Sequence, residues 1–305
     1  MLIDNPPVEI GGGLWMLGTT AYPLYLVRGR DEGAIIEGGI SVLGPRIRRQ
    51  LAELGIGPDF VRQAIVTHAH PDHVMAVPLL REWFPGISVV ASAPAAATLS
   101  AEKAITFFRQ VDAALTDVLR RGGETADEPP AAPWSENRIA VDRLVREGDA
   151  LVAGDVAWTV LETPGHSDCS ISLHDPRGRV LVISDATGYY MPAEKTWWPN
   201  YFTGYAAYVR SMERLATLEA ETLCLSHNGA LRGEDDIRAY FAGAIACTRR
   251  YHERIVAEAR SGKPPRQIAE VLGEEIHRQA PVLPLEFFQK NCGLLVKQSL
   301  KHEGM

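Results

Sequence analysis

The segment Thr67-His68-Ala69-His70-Pro71-Asp72-His73 sets three imidazoles and a carboxylate within six positions. Folded into a core, each of these polar groups would need a partner of its own. A divalent ion serves them all, because neutral imidazole and carboxylate are both good ligands for zinc, iron and manganese. Three later segments repeat the theme of a candidate ligand beside small residues: Pro164-Gly165-His166-Ser167, Ser184-Asp185-Ala186 and Ser226-His227-Asn228. Taken singly, His166, Asp185 or His227 is as well explained by an ordinary polar loop. Together they place potential ligands after four apolar runs, at residues 65–67, 158–161, 180–183 and 223–225. A rigid sheet that presents functional groups on the loops at one end has this pattern.

The elements that must position these groups follow from periodicity. Apolar, β-branched runs at residues 14–17, 24–27, 34–36, 64–67, 87–90, 151–152, 156–161, 171–173, 180–183 and 222–225 read as strands punctuated by Gly, Pro and Asp. Residues 45–54 and 74–84 read as helices. Within 94–122, Ala104, Phe107, Phe108, Val111, Leu115 and Val118 define one helical stripe, and the Pro-rich 122–133 reads as a surface loop. After Gly233 the chain reads as helices at 235–259, 265–277 and 285–301, with Ile268, Val271, Leu272 and Ile276 spaced for docking. Interleaved strands and helices followed by a helical tail favour layered α/β or α+β packing. The expected organisation is a core over 1–232, with a helical insertion at about 94–140, and a helical extension over 233–305.

Composition bounds the function. A chain of 305 residues with 46% hydrophobic and 23% charged residues can bury a sizeable core. Its net charge of −7 argues against a general nucleic-acid binder, which needs clustered Lys and Arg. No stretch reads as a secretory signal or a membrane span. Cys169, Cys224, Cys247 and Cys292 are widely spaced and form no CxxC pair, which fits a reducing cytoplasm better than a disulfide framework.

The order HxHxDH, Gly-His, Asp, His resembles the metallo-β-lactamase superfamily over about residues 10–232. The resemblance implies an α+β fold, the αββα sandwich, here with the helical insertion and the helical C-terminal extension. It also implies two divalent metal ions per chain, zinc or iron, with manganese a further option. His68, His70 and His166 would hold the first, Asp72, His73 and His227 the second, and Asp185 would bridge them. Leu14-Trp15-Met16-Leu17-Gly18, Ile36-Glu37-Gly38-Gly39, Gly165-His166-Ser167-Asp168 and the segment from His227 to Gly233 resemble one branch of that superfamily, the quinolone-signal response proteins. These are thioesterases acting on 2-aminobenzoylacetyl-coenzyme A. The chain departs from them at Tyr189, where that branch carries an acidic residue, and in the aromatic segment 191–208.

The implied activity is hydrolysis of an acyl thioester such as an acyl-coenzyme A by a hydroxide held between two ions. Such ions lower the pKa of a water from about 15.7 to about 7. Asp72 would orient the nucleophile and carry a proton, and a thiolate leaves without strong protonation. A lactonase, a phosphodiesterase and a regulator-binding protein with a secondary metal site are the competing readings. Tyr189, Trp197 and Trp198 are candidates for the wall of an acyl pocket, with ordinary core the alternative for the tryptophans. Glu37 is a candidate acceptor that orients a ligand imidazole. Ser167 and Cys169 lack the base and orienter of a catalytic triad and read as structural. His174, His252, His277 and His302 match no ligand position. The helical tail offers a face for a second copy or a regulatory partner.

Overall fold

Side chains alternate across the strands and sort the chain into two facing sheets. In the computed structural model, which describes residues 1–126, 128–129 and 134–305, each sheet has seven strands. The expected surface loop at 122–133 lies partly outside the described residues. The first sheet runs in the order β2 (Val8–Gly11), β3 (Leu14–Gly18), β4 (Pro23–Arg28), β5 (Gly33–Ile36), β6 (Val61–Ile65), β7 (Ser88–Ser92) and β8 (Arg143–Val145). It is antiparallel up to β5 and parallel from there on. The second runs β1 (Leu2–Ile3), β16 (Ala230–Arg232), β15 (Thr222–Leu225), β12 (Val180–Ser184), β11 (Ile171–Asp175), β10 (Val156–Glu162) and β9 (Ala150–Ala153). Only its β12–β15 pair is parallel.

Strand β4 shows how the layers form. Tyr25 and Val27 point between the sheets and join Trp158, Leu173 and Val182 from the opposite sheet. Leu24 and Leu26 point the other way, onto α1 (Gly44–Glu53) and α2 (Val77–Trp83). That period of two is what the pleat demands. The outer face of the second sheet is covered by α5 (Tyr205–Ala216) and α6 (Glu234–Arg260), and α7 (Pro265–Gln279) and α8 (Leu285–His302) pack on these helices. The result is the αββα sandwich with a helical extension, an α+β fold.

Among the described residues, the segment expected to be a helical insertion holds two helices, α3 (Ala93–Ser100) and α4 (Glu102–Arg121). The buried stripe of α4 is Ile105, Phe108, Asp112, Leu115 and Leu119. The stripe expected from sequence is displaced by about one residue, and Phe107 is 56% exposed. The cause is Asp112, a polar residue at the centre of the buried face. Its carboxylate accepts hydrogen bonds from the Ser41 backbone N–H and hydroxyl. The aromatic segment after Asp185, to which periodicity assigns no element, forms a hairpin, β13 (Tyr189–Met191) with β14 (Thr196–Trp198), and then α5. Three-residue strands are too short to show a period, and the N-cap of α5 is Gly204, which has no side chain to signal a start.

Candidate metal centre

Each candidate ligand stands where a strand leaves its sheet. His68 follows β6, and the carbonyl before it, Thr67 O, accepts from Ile171 N, 2.9 Å away in the opposite sheet. Asp72 and His73 lie in a single 3₁₀ turn, Pro71–His73. The His73 carbonyl in turn accepts from Gly38 N at 2.7 Å. Asp185 and His227 follow β12 and β15, so the one parallel pair in that sheet delivers them side by side. His166 sits between β10 and β11. Its neighbour Gly165 has φ 127°, and a Cβ there would lie 2.3 Å from the Tyr208 backbone on α5. No residue with a side chain fits that approach.

Two groups of ligand atoms result, each within 4.8 Å of one another: His68, His70, His166 and Asp185, then Asp72, His73 and His227. Asp185 joins the groups. Its Oδ2 lies 3.2 Å from His166 Nε2, 3.7 Å from His68 Nε2 and 3.6 Å from His73 Nε2, while Oδ1 lies 3.6 Å from His227 Nε2. Asp72 Oδ2 is 3.5 Å from both His73 Nε2 and His227 Nε2.

The far side of each ring is already committed. His166 Nδ1 donates to Asn200 O at 2.9 Å, and His227 Nδ1 donates to Ala21 O at 2.9 Å. His73 Nδ1 meets Glu37 Oε2 at 2.9 Å, and the other Glu37 oxygen accepts from Thr67 Oγ1 at 2.8 Å. His68 Nδ1 contacts Ser184 Oγ at 3.1 Å. Ser226 donates its hydroxyl to Asp185 Oδ1. Glu37, Ser184 and Asn228 all have positive φ, of 76°, 48° and 62°. Backbone held in the left-handed region by residues other than glycine concentrates at functional sites.

The donor set fits a cation. An imidazole that donates from Nδ1 to a carbonyl turns the Nε2 lone pair toward the centre. His166 Nε2 nevertheless sits 2.9 Å from His70 Nδ1 and 3.2 Å from His68 Nε2. Burial holds His68 and His166 below the ordinary imidazole range and pushes His70 down to about 3, so these three rings are neutral. Burial also opposes charge on Asp72 and Asp185, yet the facing imidazoles hold both carboxyls well below their usual range. His73 Nε2 is buried without a hydrogen-bond partner. Converging lone pairs, ionised carboxylates and an orphaned nitrogen are what a divalent ion satisfies.

A family model described as the metallo-beta-lactamase superfamily matches residues 19–227, which include every one of these ligands. The chain belongs to that superfamily. Among curated relatives it is similar to acyl-coenzyme A thioesterase MBLAC2 of Gallus gallus, at 28% identity, covering 68% of this chain and 74% of the relative. The Homo sapiens protein of the same name is 25% identical, covering 69% and 75%. Among solved structures, a metallo-beta-lactamase family protein from Thermus thermophilus matches with TM-score 0.65 at 22% identity, over 97% of this chain and 95% of that one. BJP-1, a subclass B3 metallo-beta-lactamase of Bradyrhizobium japonicum, matches with TM-score 0.58 at 17% identity, over 85% and 97%. At these identities the solved structures speak for the fold alone. Superfamily membership and the His/Asp cluster make the chain a hydrolase with a site fitted to divalent metal.

Around the cluster the superfamily scaffold carries aromatic rings. Tyr189 lies 5.4 Å from the His227 ring, Tyr22 meets the same ring edge-on at 5.3 Å, and Phe202 lies 5.2 Å from His166. Sequence reasoning missed Tyr22, which sits far from any ligand in the chain and carries no local motif, whereas Phe202 belongs to the aromatic segment 191–208 that the sequence singled out. Trp197 and Trp198 are placed differently. Trp197 packs on Tyr190 and Tyr240, and Trp198 packs on Phe288 of α8. Both are buried. Ser167 and Cys169 brace the ligand loops: Ser167 Oγ is 3.0 Å from Cys169 Sγ, which accepts from Ala69 N at 3.3 Å.

Proposed function

We propose that this chain is a binuclear metal-dependent acyl-thioester hydrolase. The observation that carries the binuclear reading is Asp185, whose two oxygens face both ligand groups. His68, His70 and His166 would hold one ion, Asp72, His73 and His227 the other, and Asp185 both. The thioester reading is supported by the relatives named as acyl-coenzyme A thioesterases and by the aromatic rings beside the cluster. Two divalent ions, zinc or iron, would polarise a carbonyl and bring the pKa of a water near neutrality.

The protein's own groups do the rest. Glu37, Asn200 O and Ala21 O fix His73, His166 and His227 so that each ring presents Nε2 inward. Asp72 is partly exposed, at the open side of the cluster. Its carboxylate accepts the proton of the attacking water and returns it to the departing sulfur as the C–S bond breaks. The products are a carboxylate and a thiol. Tyr189, with Tyr22 and Phe202, walls the acyl group, and Trp197 and Trp198 act at one remove by seating the hairpin that carries Tyr189. We assign residues 1–232 to the catalytic core and 233–305 to an extension docked on it. A face for a second copy or a regulatory partner is supported by the open groove between α7 and α8, lined by Ala269, Lys290, Val296 and Leu300. Among the described residues no helix is long and apolar enough to cross a membrane. The four free, buried cysteines support a cytoplasmic setting.

Metal analysis combined with a substrate panel tests the proposal. Purified protein should hold about two ions per chain, and Asp185→Ala, which removes the shared ligand, should lose at least one. Turnover on an aromatic acyl-coenzyme A should exceed that on a lactone and a phosphodiester. Absence of bound metal after incubation with zinc, iron or manganese would falsify the binuclear reading, and preference for the lactone or phosphodiester would overturn the thioester one.

A further inference from the structure

A second cluster of ligand atoms lies among the helices of the extension. His252 on α6, His302 at the end of α8 and Glu303 just beyond it bring their ligand atoms within 4.8 Å of one another. From sequence, both histidines match no ligand position. In the fold they share one spot with a carboxylate between them.

Three features separate this cluster from a chance meeting of surface side chains. The first is spacing. His252 Nε2 lies 3.4 Å from Glu303 Oε1. A charge-assisted hydrogen bond would close to about 2.7–2.9 Å. A tetrahedral ion with N and O ligands at about 2.0–2.1 Å instead separates neighbouring ligand atoms by about 3.3 Å. The edges His166–His68 and His166–Asp185 in the first centre are both 3.2 Å. The second feature is preorganisation. His252 is 7% exposed and stacks on Tyr205 with ring centroids 3.8 Å apart and planes 12° off parallel. The His302 ring stands edge-on to it at 5.4 Å. Glu303 is held through its other oxygen, which accepts from Arg260 Nη2 at 2.8 Å, so Oε1 remains for a ligand role. The third is access: His302 and Glu303 are exposed, which leaves a route in for an ion and a position for water.

We propose that His252, His302 and Glu303 form a further divalent-metal site, suited to zinc or a similar borderline ion through two imidazoles, one carboxylate and a water. The ion joins the last turn of α8 to the middle of α6 and thereby clamps the helical layer that packs on Trp198. Its role is structural, and it does not rest on the identity of the substrate.

Equilibrium dialysis of the full chain against zinc alone, followed by elemental analysis, tests the site. Wild-type protein should bind one zinc per chain more than His302→Ala. Glu303→Gln should weaken that ion at least tenfold while leaving the others in place. With cobalt(II) as the probe, the part of the visible absorption due to this tetrahedral site should vanish in His302→Ala. Hydrolysis should be unchanged in both variants, so a failure of the thioesterase reading leaves the metal difference intact. Equal zinc stoichiometry and equal affinity in wild type and both variants would overturn the proposal.

Discussion

The His/Asp cluster and the aromatic layer beneath α6 and α8 are both buried, for opposite reasons. In the cluster, polar groups are forced together by outer hydrogen bonds, such as His166 to Asn200 and His227 to Ala21, and by left-handed backbone at Glu37, Ser184 and Asn228. On the inner face the His166 nitrogen is crowded against those of His70 and His68, at 2.9 and 3.2 Å, an approach that a cation would relieve. In the aromatic layer, Trp197, Trp198, Tyr240 and Phe288 complete one another. Gly243 on α6 makes room there, since a Cβ would lie 2.5 Å from the Trp197 ring. Apolar burial is the main support of that arrangement, with Tyr240 OH also 2.7 Å from Thr187 Oγ1. Side-chain changes in the cluster should therefore alter chemistry with little effect on folding, and changes in the layer should do the reverse.

The largest expected effect is on the layer side. Trp198→Ala removes a ring that is 5% exposed and packed on fully buried Phe288. Truncations of this kind cost about 3–5 kcal/mol, so equilibrium unfolding by denaturant should show a loss of that order. The protein that remains folded should keep its metal content. A loss below about 1 kcal/mol would return Trp198 to the substrate side and erase the contrast between the regions.

On the cluster side, Asp72→Asn keeps shape while removing a charge and the proton acceptor. Turnover should fall roughly 10²-fold, the usual scale for a positioned acid–base group. The change in Michaelis constant should be smaller, and the melting temperature of the metal-free protein should hardly move. Full activity in this variant would remove Asp72 from the chemistry.

The same contrast explains what was legible in the sequence. The candidate ligands could be read because each is compressed into a few residues after an apolar strand, and Glu37 because it precedes paired glycines at a strand end. Layered α/β or α+β packing followed from those strands, the sandwich from the resemblance that the ligand motifs carry, and the three tail helices from long, uninterrupted periodicity. Packing partners were not legible. Tyr22 reaches the cluster from another segment, and nothing local marks it. Asp112 disguised the buried face of α4 because its partner, Ser41, lies 71 positions away. Trp197 and Trp198 looked like a pocket wall because they follow a ligand closely in sequence, yet in the fold they pack on Tyr240 of α6 and Phe288 of α8. Chemistry condensed into motifs survives the reading of one chain, and contacts made across the fold do not.

The smallest expected effect lies at the border of the two regions. Tyr189 begins the hairpin whose other strand carries Trp198, and the two pair directly across it. Its ring meets His227 at 5.4 Å with a 42° tilt. Burial raises its phenol above the ordinary range, so the hydroxyl keeps its proton at neutral pH. If the ring acts as a wall, Tyr189→Ala should raise the Michaelis constant for an aromatic acyl-coenzyme A roughly two- to tenfold, matching about 0.5–1.5 kcal/mol for an aromatic contact. Turnover should change less, and Tyr189→Phe should behave like wild type. A phenol that instead donates to the substrate oxygen predicts a different pattern, with turnover falling equally in the Phe and Ala variants. Steady-state kinetics on the three proteins separates these outcomes. A Michaelis constant unmoved in Tyr189→Ala would assign this ring to the aromatic layer rather than to the pocket.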